Sequence, residues 1–67
     1  MGRTRTVVET LYDNRSKYEV LRIDDSGLIF GDTSFYVLRD GEQVAGRYEK
    51  LGDAIAWAER QGARPRR

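Results

Sequence analysis

A chain of 67 residues with no cysteine must hold its fold on apolar packing alone, because no disulfide can staple it. At this size about 60% of the unfolded surface is buried on folding, which leaves room for one core and one exposed surface site. The absence of cysteine also removes the thiolate zinc site, the redox pair and the cysteine nucleophile. Histidine is absent too, so the common metal ligand and the usual general base are missing. Carboxylates with Lys17, Lys50 or the tyrosines are what remains for proton chemistry, and they supply no nucleophile, base and orienting group together. The chain is therefore read as a non-enzyme that needs no metal and no cofactor.

The pattern of apolar residues predicts strands first and a helix last. Residues 4–12 are rich in β-branched and aromatic types and end at the turn pair Asp13-Asn14. Residues 17–24 alternate as a second strand, closed by Asp25-Ser26-Gly27. Leu28-Ile29-Phe30 forms a short apolar bridge to a turn at Gly31-Asp32, and residues 34–39 form the third strand. Asp40-Gly41 is a strong hairpin signal, because both positions of the favoured two-residue turn need positive φ. It leads into a return strand over residues 43–48. From about Lys50 the period changes: Leu51, Ala54, Ile55 and Ala58 fall on one helical face, and Asp53, Ala56 and Arg60 on the other. Gly62 suits the position after the helix, and Pro65 opposes its resumption.

These elements give an α+β fold, β-β-β-β-α, in which a four-stranded antiparallel meander is covered on one face by a C-terminal helix. Residues 1–62 form one small domain, and residues 63–67 are expected to be a flexible basic tail. Residues 35–58 resemble the hairpin-helix units of small bacterial and phage proteins, a likeness of architecture that carries no functional signature. The longest apolar run, Ala54 to Ala58, is far below the roughly 20 residues of a membrane span. The first residues, Met1-Gly2-Arg3-Thr4-Arg5, show no apolar signal region, so the expected setting is cytoplasmic, without a membrane partner.

The charge is unevenly laid out. Arg3 and Arg5 lie near one end and Arg60, Arg64, Arg66 and Arg67 near the other, while the stretch between holds six basic and all eleven acidic residues, a net of −5. A nucleic-acid binder usually carries its positive charge on a folded face, and this sum argues mildly against one.

Alternation leaves neither sheet face purely polar. Tyr18, Val20 and Arg22 oppose Glu19, Leu21 and Ile23, and Phe35, Val37 and Arg39 oppose Ser34, Tyr36 and Leu38. One helix covers one face, so the other is expected to present an aromatic and arginine surface drawn from Tyr18, Arg22, Phe35, Arg39, Arg47 and Tyr48. The ordinary alternative is that some of these rings are core and the arginines simply solvated. Trp57 lies about 110° from the centre of the helical stripe, either roofing the sheet edge or anchoring a partner. Tyrosine, tryptophan and arginine are enriched at protein interfaces, and the same groups stack on unpaired bases. Arg64, Arg66 and Arg67 would add phosphate affinity, or solubility alone. Asp24, Asp25 and Asp32 do not have the spacing of a calcium loop, and no glycine run cradles phosphate. Asn14-Arg15-Ser16 is a glycosylation triplet that reads as a turn.

The expected function is a small accessory or regulatory binding module that inhibits or adapts a protein partner, with a second copy of the chain as one such partner. The alternative is single-stranded nucleic-acid binding by the aromatic and arginine face and the basic tail.

Overall fold

The computed structural model describes residues 2–26 and 31–65, with the side chain of Ser26 excepted. In chain order the elements are β1 (Gly2–Tyr12), β2 (Lys17–Ser26), β3 (Gly31–Arg39), β4 (Glu42–Tyr48), α1 (Leu51–Arg60) and β5 (Arg64–Pro65). All neighbouring strands are antiparallel, in the order β4-β3-β2-β1-β5. The meander and the C-terminal helix on one face are those the sequence predicts. No helix among the described residues is long and apolar enough to cross a membrane.

The turns follow from their residues. Asp40 (φ 52°) and Gly41 (φ 88°) form the two-residue turn between Arg39 and Glu42, with Gly supplying one of the two left-handed positions. The Asp40 N–H donates to the Lys17 carbonyl at 2.9 Å, and the Asp40 carboxylate accepts from the Lys17 N–H at 3.0 Å. That contact ties the β3–β4 turn to the start of β2. At the other hairpin, the Asp13 carboxylate accepts from the backbone N–H groups of Arg15 (2.7 Å) and Ser16, an Asx-type turn.

The helix ends as Gly62 requires. With φ at 96°, Gly62 donates its N–H to the Glu59 carbonyl at 3.0 Å, and Ala63 donates to the Ala58 carbonyl at 3.2 Å. These are the paired bonds of a Schellman cap, and Ala63, fully buried, closes its apolar contact.

The core lies between α1 and one sheet face. Leu11, Val20 and Val37 are fully buried there, with Tyr18, Phe35, Ala54, Ala58 and Ala63. Leu51, Ile55 and Trp57 pack against it from the helix, and Val8, Val44, Ala45 and Tyr48 from the strands. Two small alanines let α1 approach closely, and the rings of Tyr18, Phe35 and Tyr48 fill the space beside them.

Three expectations change. Gly31-Asp32 is not a turn but the start of β3, where Gly31 pairs with Ser26 and Asp32 with Asp25. Residues 63–65 are not a flexible tail: Ala63 is core, and Arg64 and Pro65 pair with Tyr12 and Leu11 as a fifth strand. The Schellman cap aims the chain back at β1, and the Arg64 guanidinium donates to the Glu59 and Ala63 carbonyls at 3.0 and 2.8 Å. The third change concerns the covered face, described below. Gly27, Leu28, Ile29 and Phe30, and likewise Arg66 and Arg67, lie outside the described residues.

Candidate functional site

The helix covers the face that bears Tyr18, Val20, Phe35 and Val37, so the aromatic and arginine surface expected from the sequence is not the open one. Tyr18 is 3% exposed and Phe35 9% exposed. Tyr48 pairs with Phe35 and packs on the same core. Trp57 lies over Tyr18 with ring centroids 6.4 Å apart and planes tilted by 59°. Arg22 and Arg39 are exposed at positions flanking this core, paired in register with Phe35 and Tyr18. Arg22 holds Asp24 at 3.1 Å, and Asp24 also accepts from the Thr33 hydroxyl at 2.8 Å. Of the expected set, Arg47 alone reaches to the other side, where its Nε donates to Ser34 Oγ at 2.6 Å and its guanidinium pairs with Asp32.

A physical reason for this choice of face sits at Glu19. It is central on β2, opposite Thr10 on one neighbour and Leu38 on the other. A helix on that side would desolvate a carboxylate with no partner, which costs several kcal/mol unless the group is neutralised, at about the scale of a small domain's whole stability. The covered face carries charge as well, but at its margins: Arg22 and Arg39 are exposed, and Asp24 and Glu9, in register with Thr33 and Val20, are half-buried.

The uncovered face is built by register. Val7 pairs with Leu21 and Leu21 with Tyr36, one apolar row across β1, β2 and β3. Toward the Ser26 end of β2 the next row is Arg5, Ile23 and Ser34, followed by Arg3, Asp25 and Asp32. Toward the Lys17 end come Thr10, Glu19 and Leu38, then Lys17. A one-residue slip between Val7 and Glu9 sends Val8 to the core and leaves Val7 out, 46% exposed. Leu21 is 7% exposed and Ile23, Tyr36 and Leu38 are half-buried, although among the described residues no helix or strand packs over them. The Tyr36 ring packs against Gly46 of β4, so close that a Cβ there would overlap ring carbon Cδ1. Arg3 lies 3.9 Å from Asp25. Thus Val7, Leu21, Ile23, Tyr36 and Leu38 form an apolar patch framed by Arg3, Arg5 and Arg47 at one end and Glu19 and Lys17 at the other.

Sequence reasoning had the residues of β2 and β3 in the correct alternation and left open which of the two faces the helix covers; Val7 escaped it, because the one-residue slip in β1 leaves no mark in the alternation. A shallow groove of about 630 Å³ lies between the Asp13–Arg15 turn and the end of α1, but Asp13 and Arg64 on its wall are already bonded to backbone groups. The three aspartates near the β2–β3 end each have a basic partner: Arg22 for Asp24, Arg3 for Asp25 and Arg47 for Asp32. No family model, curated protein or solved structure matches this chain.

Proposed function

We propose that the chain is a non-enzymatic protein-interaction module, an accessory or regulatory protein that binds a protein partner through the uncovered sheet face. The observation that carries this reading is the row Val7–Leu21–Tyr36, with Ile23 and Leu38 beside it, on a face over which no element packs among the described residues. A contiguous apolar patch rimmed by charge is the usual composition of a protein contact.

The stacking alternative has less support. Tyr18, Phe35, Tyr48 and Trp57 belong to the core side, and Tyr36 is packed against Gly46. Two of the three arginines of the open face are paired with carboxylates. Such a surface offers few free rings and little unpaired positive charge to a strand of phosphates.

The test is fluorescence anisotropy of labelled single-stranded DNA, RNA and duplex DNA against the full chain and an Arg66→Gln/Arg67→Gln variant. Binding limited to low salt and to the intact arginine pair is the expected result. Micromolar binding that persists at physiological salt in the variant, and is lost on Arg47→Ala, would overturn the protein-contact reading in favour of nucleic acid.

A further inference from the structure

We infer that the occupant of the uncovered face is a second copy of this chain, stacked sheet to sheet about a two-fold axis that crosses the strands at the row Val7–Leu21–Tyr36. The inference rests on reading that face as a protein contact, and adds the identity of the partner.

The charge layout carries it. A two-fold axis in the plane of the sheets, perpendicular to the strands, keeps each strand above its own copy and exchanges the two ends of the face. The apolar row then meets itself. The row of Arg5 and Ile23, reached also by Arg47, meets the row of Glu19 and Leu38 of the other copy, and the row of Asp25 and Asp32 with Arg3 meets Lys17. By formal charge, +2 faces −1 in the first meeting; in the second, −1 faces the ammonium of Lys17, beside whose backbone the Asp40 carboxylate also lies. The sequence of signs is therefore opposed to itself on either side of the apolar row, the condition for a self-complementary surface. The groups that would pair are the ones left over. Among the described residues, the side chains of Arg5, Glu19 and Lys17 have no ion pair, while Arg3, Arg22 and Arg47 each have one. Within one copy the Arg5 and Glu19 rows are separated by the apolar row, four residues along β2 or about 13 Å, so the two cannot meet without a partner.

The face is the size of a small contact. From Lys17 to Asp25 it is about 26 Å long, and four strands make it roughly 14–19 Å wide, an outline of roughly 360–490 Å² per copy. That outline lies below the roughly 800 Å² that each partner contributes to a standard interface, so the dimer belongs to the weak, concentration-dependent class. Stacking two such sheets gives an aligned sandwich with Leu21, Ile23, Tyr36 and Leu38 of both copies in its middle layer.

Sedimentation velocity over about a hundredfold dilution from high-micromolar concentration, with charge-reversed variants, tests the inference. Arg5→Glu and Glu19→Arg change groups that hold nothing within the chain, so both variants keep the wild-type circular dichroism and melting temperature. The wild type is expected to sediment as a dimer, each single reversal to raise the dissociation constant about tenfold or more, and the double variant Arg5→Glu/Glu19→Arg to recover most of that loss. Monomer at every concentration overturns the inference, as do single reversals without effect or a double variant no better than either single. These outcomes are separate from the nucleic-acid titration above: a monomer that binds no nucleic acid removes the second copy and leaves a different protein partner as the reading.

Discussion

Gly46 shows how one missing atom shapes the open face. Its φ is 140°, a region side-chain-bearing residues rarely adopt, and the Tyr36 ring occupies the place where a Cβ would stand. Gly46→Ala is expected to cost about 1–3 kcal/mol in urea unfolding, by backbone strain and displacement of the ring together. Gly52, in the first turn of α1, is the control: a Cβ there meets nothing, and Gly52→Ala should be neutral or stabilise by about 0.5 kcal/mol through reduced freedom of the unfolded chain. Equal losses at both positions would remove the packing account of Gly46. Asp13 gives a second prediction at this scale. The N–H groups of Arg15 and, next, Ser16 hold its carboxyl below the usual value of 3.8. A group whose folded pKa is depressed stabilises the fold above its unfolded pKa and loses that contribution as pH falls through the folded one. An NMR titration of the Asp13 side chain should therefore have its midpoint below 3.8, and Asp13→Ala should shift the acid limb of the stability curve. A midpoint at or above 3.8 would show that the turn bonds are absent in solution.

The helix and the meander were legible to different depths. The small stripe of α1, the Asp40-Gly41 turn and the cap at Gly62 each follow from local chemistry, and the structure has all three. Trp57 tests how the helix is held. It packs on Tyr18 from the flank of the stripe, so Trp57→Ala should lower stability by about 2 kcal/mol in urea unfolding while leaving self-association of the opposite face unchanged. A change in sedimentation with unchanged stability would instead place Trp57 at a contact. The sequence did not disclose which sheet face the helix covers, because both faces alternate with equal apolar content and alternation carries no sign. The decision rests on non-local facts: the register that sets Val20 beside Val37, the slip at Val8, and the position of Glu19 between two neighbours. The docking of residues 63–65 was hidden for a similar reason. Arg64-Pro65 reads as a tail until the cap at Gly62 turns it onto Leu11 and Tyr12.

Considered whole, the molecule is longer than its core. Its extents are 43 × 22 × 18 Å and its radius of gyration 12.5 Å, against about 11 Å for a compact chain of this length. The cause is a mismatch of element lengths: ten helical residues reach about 15 Å, and ten strand residues about 33 Å. The outer parts of β1, β2 and β3, residues 2–6, 22–25 and 31–33, therefore project past α1 as a three-stranded arm without a helix above it. Their side chains are mostly exposed, and the contacts among them include the Arg3–Asp25 and Arg22–Asp24 pairs, the Thr33–Asp24 bond and Arg47 on Asp32. Exposed ion pairs contribute roughly 0–1 kcal/mol each, too little to match the burial of Leu11, Val20 and Val37 at the other end. Hydrogen exchange on the dilute chain should show a gradient along single strands: amides of Val20 and Val37 opening only with global unfolding, and those of Asp24, Asp25 and Thr33 through cheaper local opening. Because Val20, Asp24 and Asp25 all lie on β2 between β1 and β3, backbone pairing is constant along that strand and only the packed layer varies. Raising the concentration then separates the two layers. A second copy on the open face would slow exchange near Ile23 and Asp25 as well as at Leu21, whereas a monomer would keep the same gradient at every concentration.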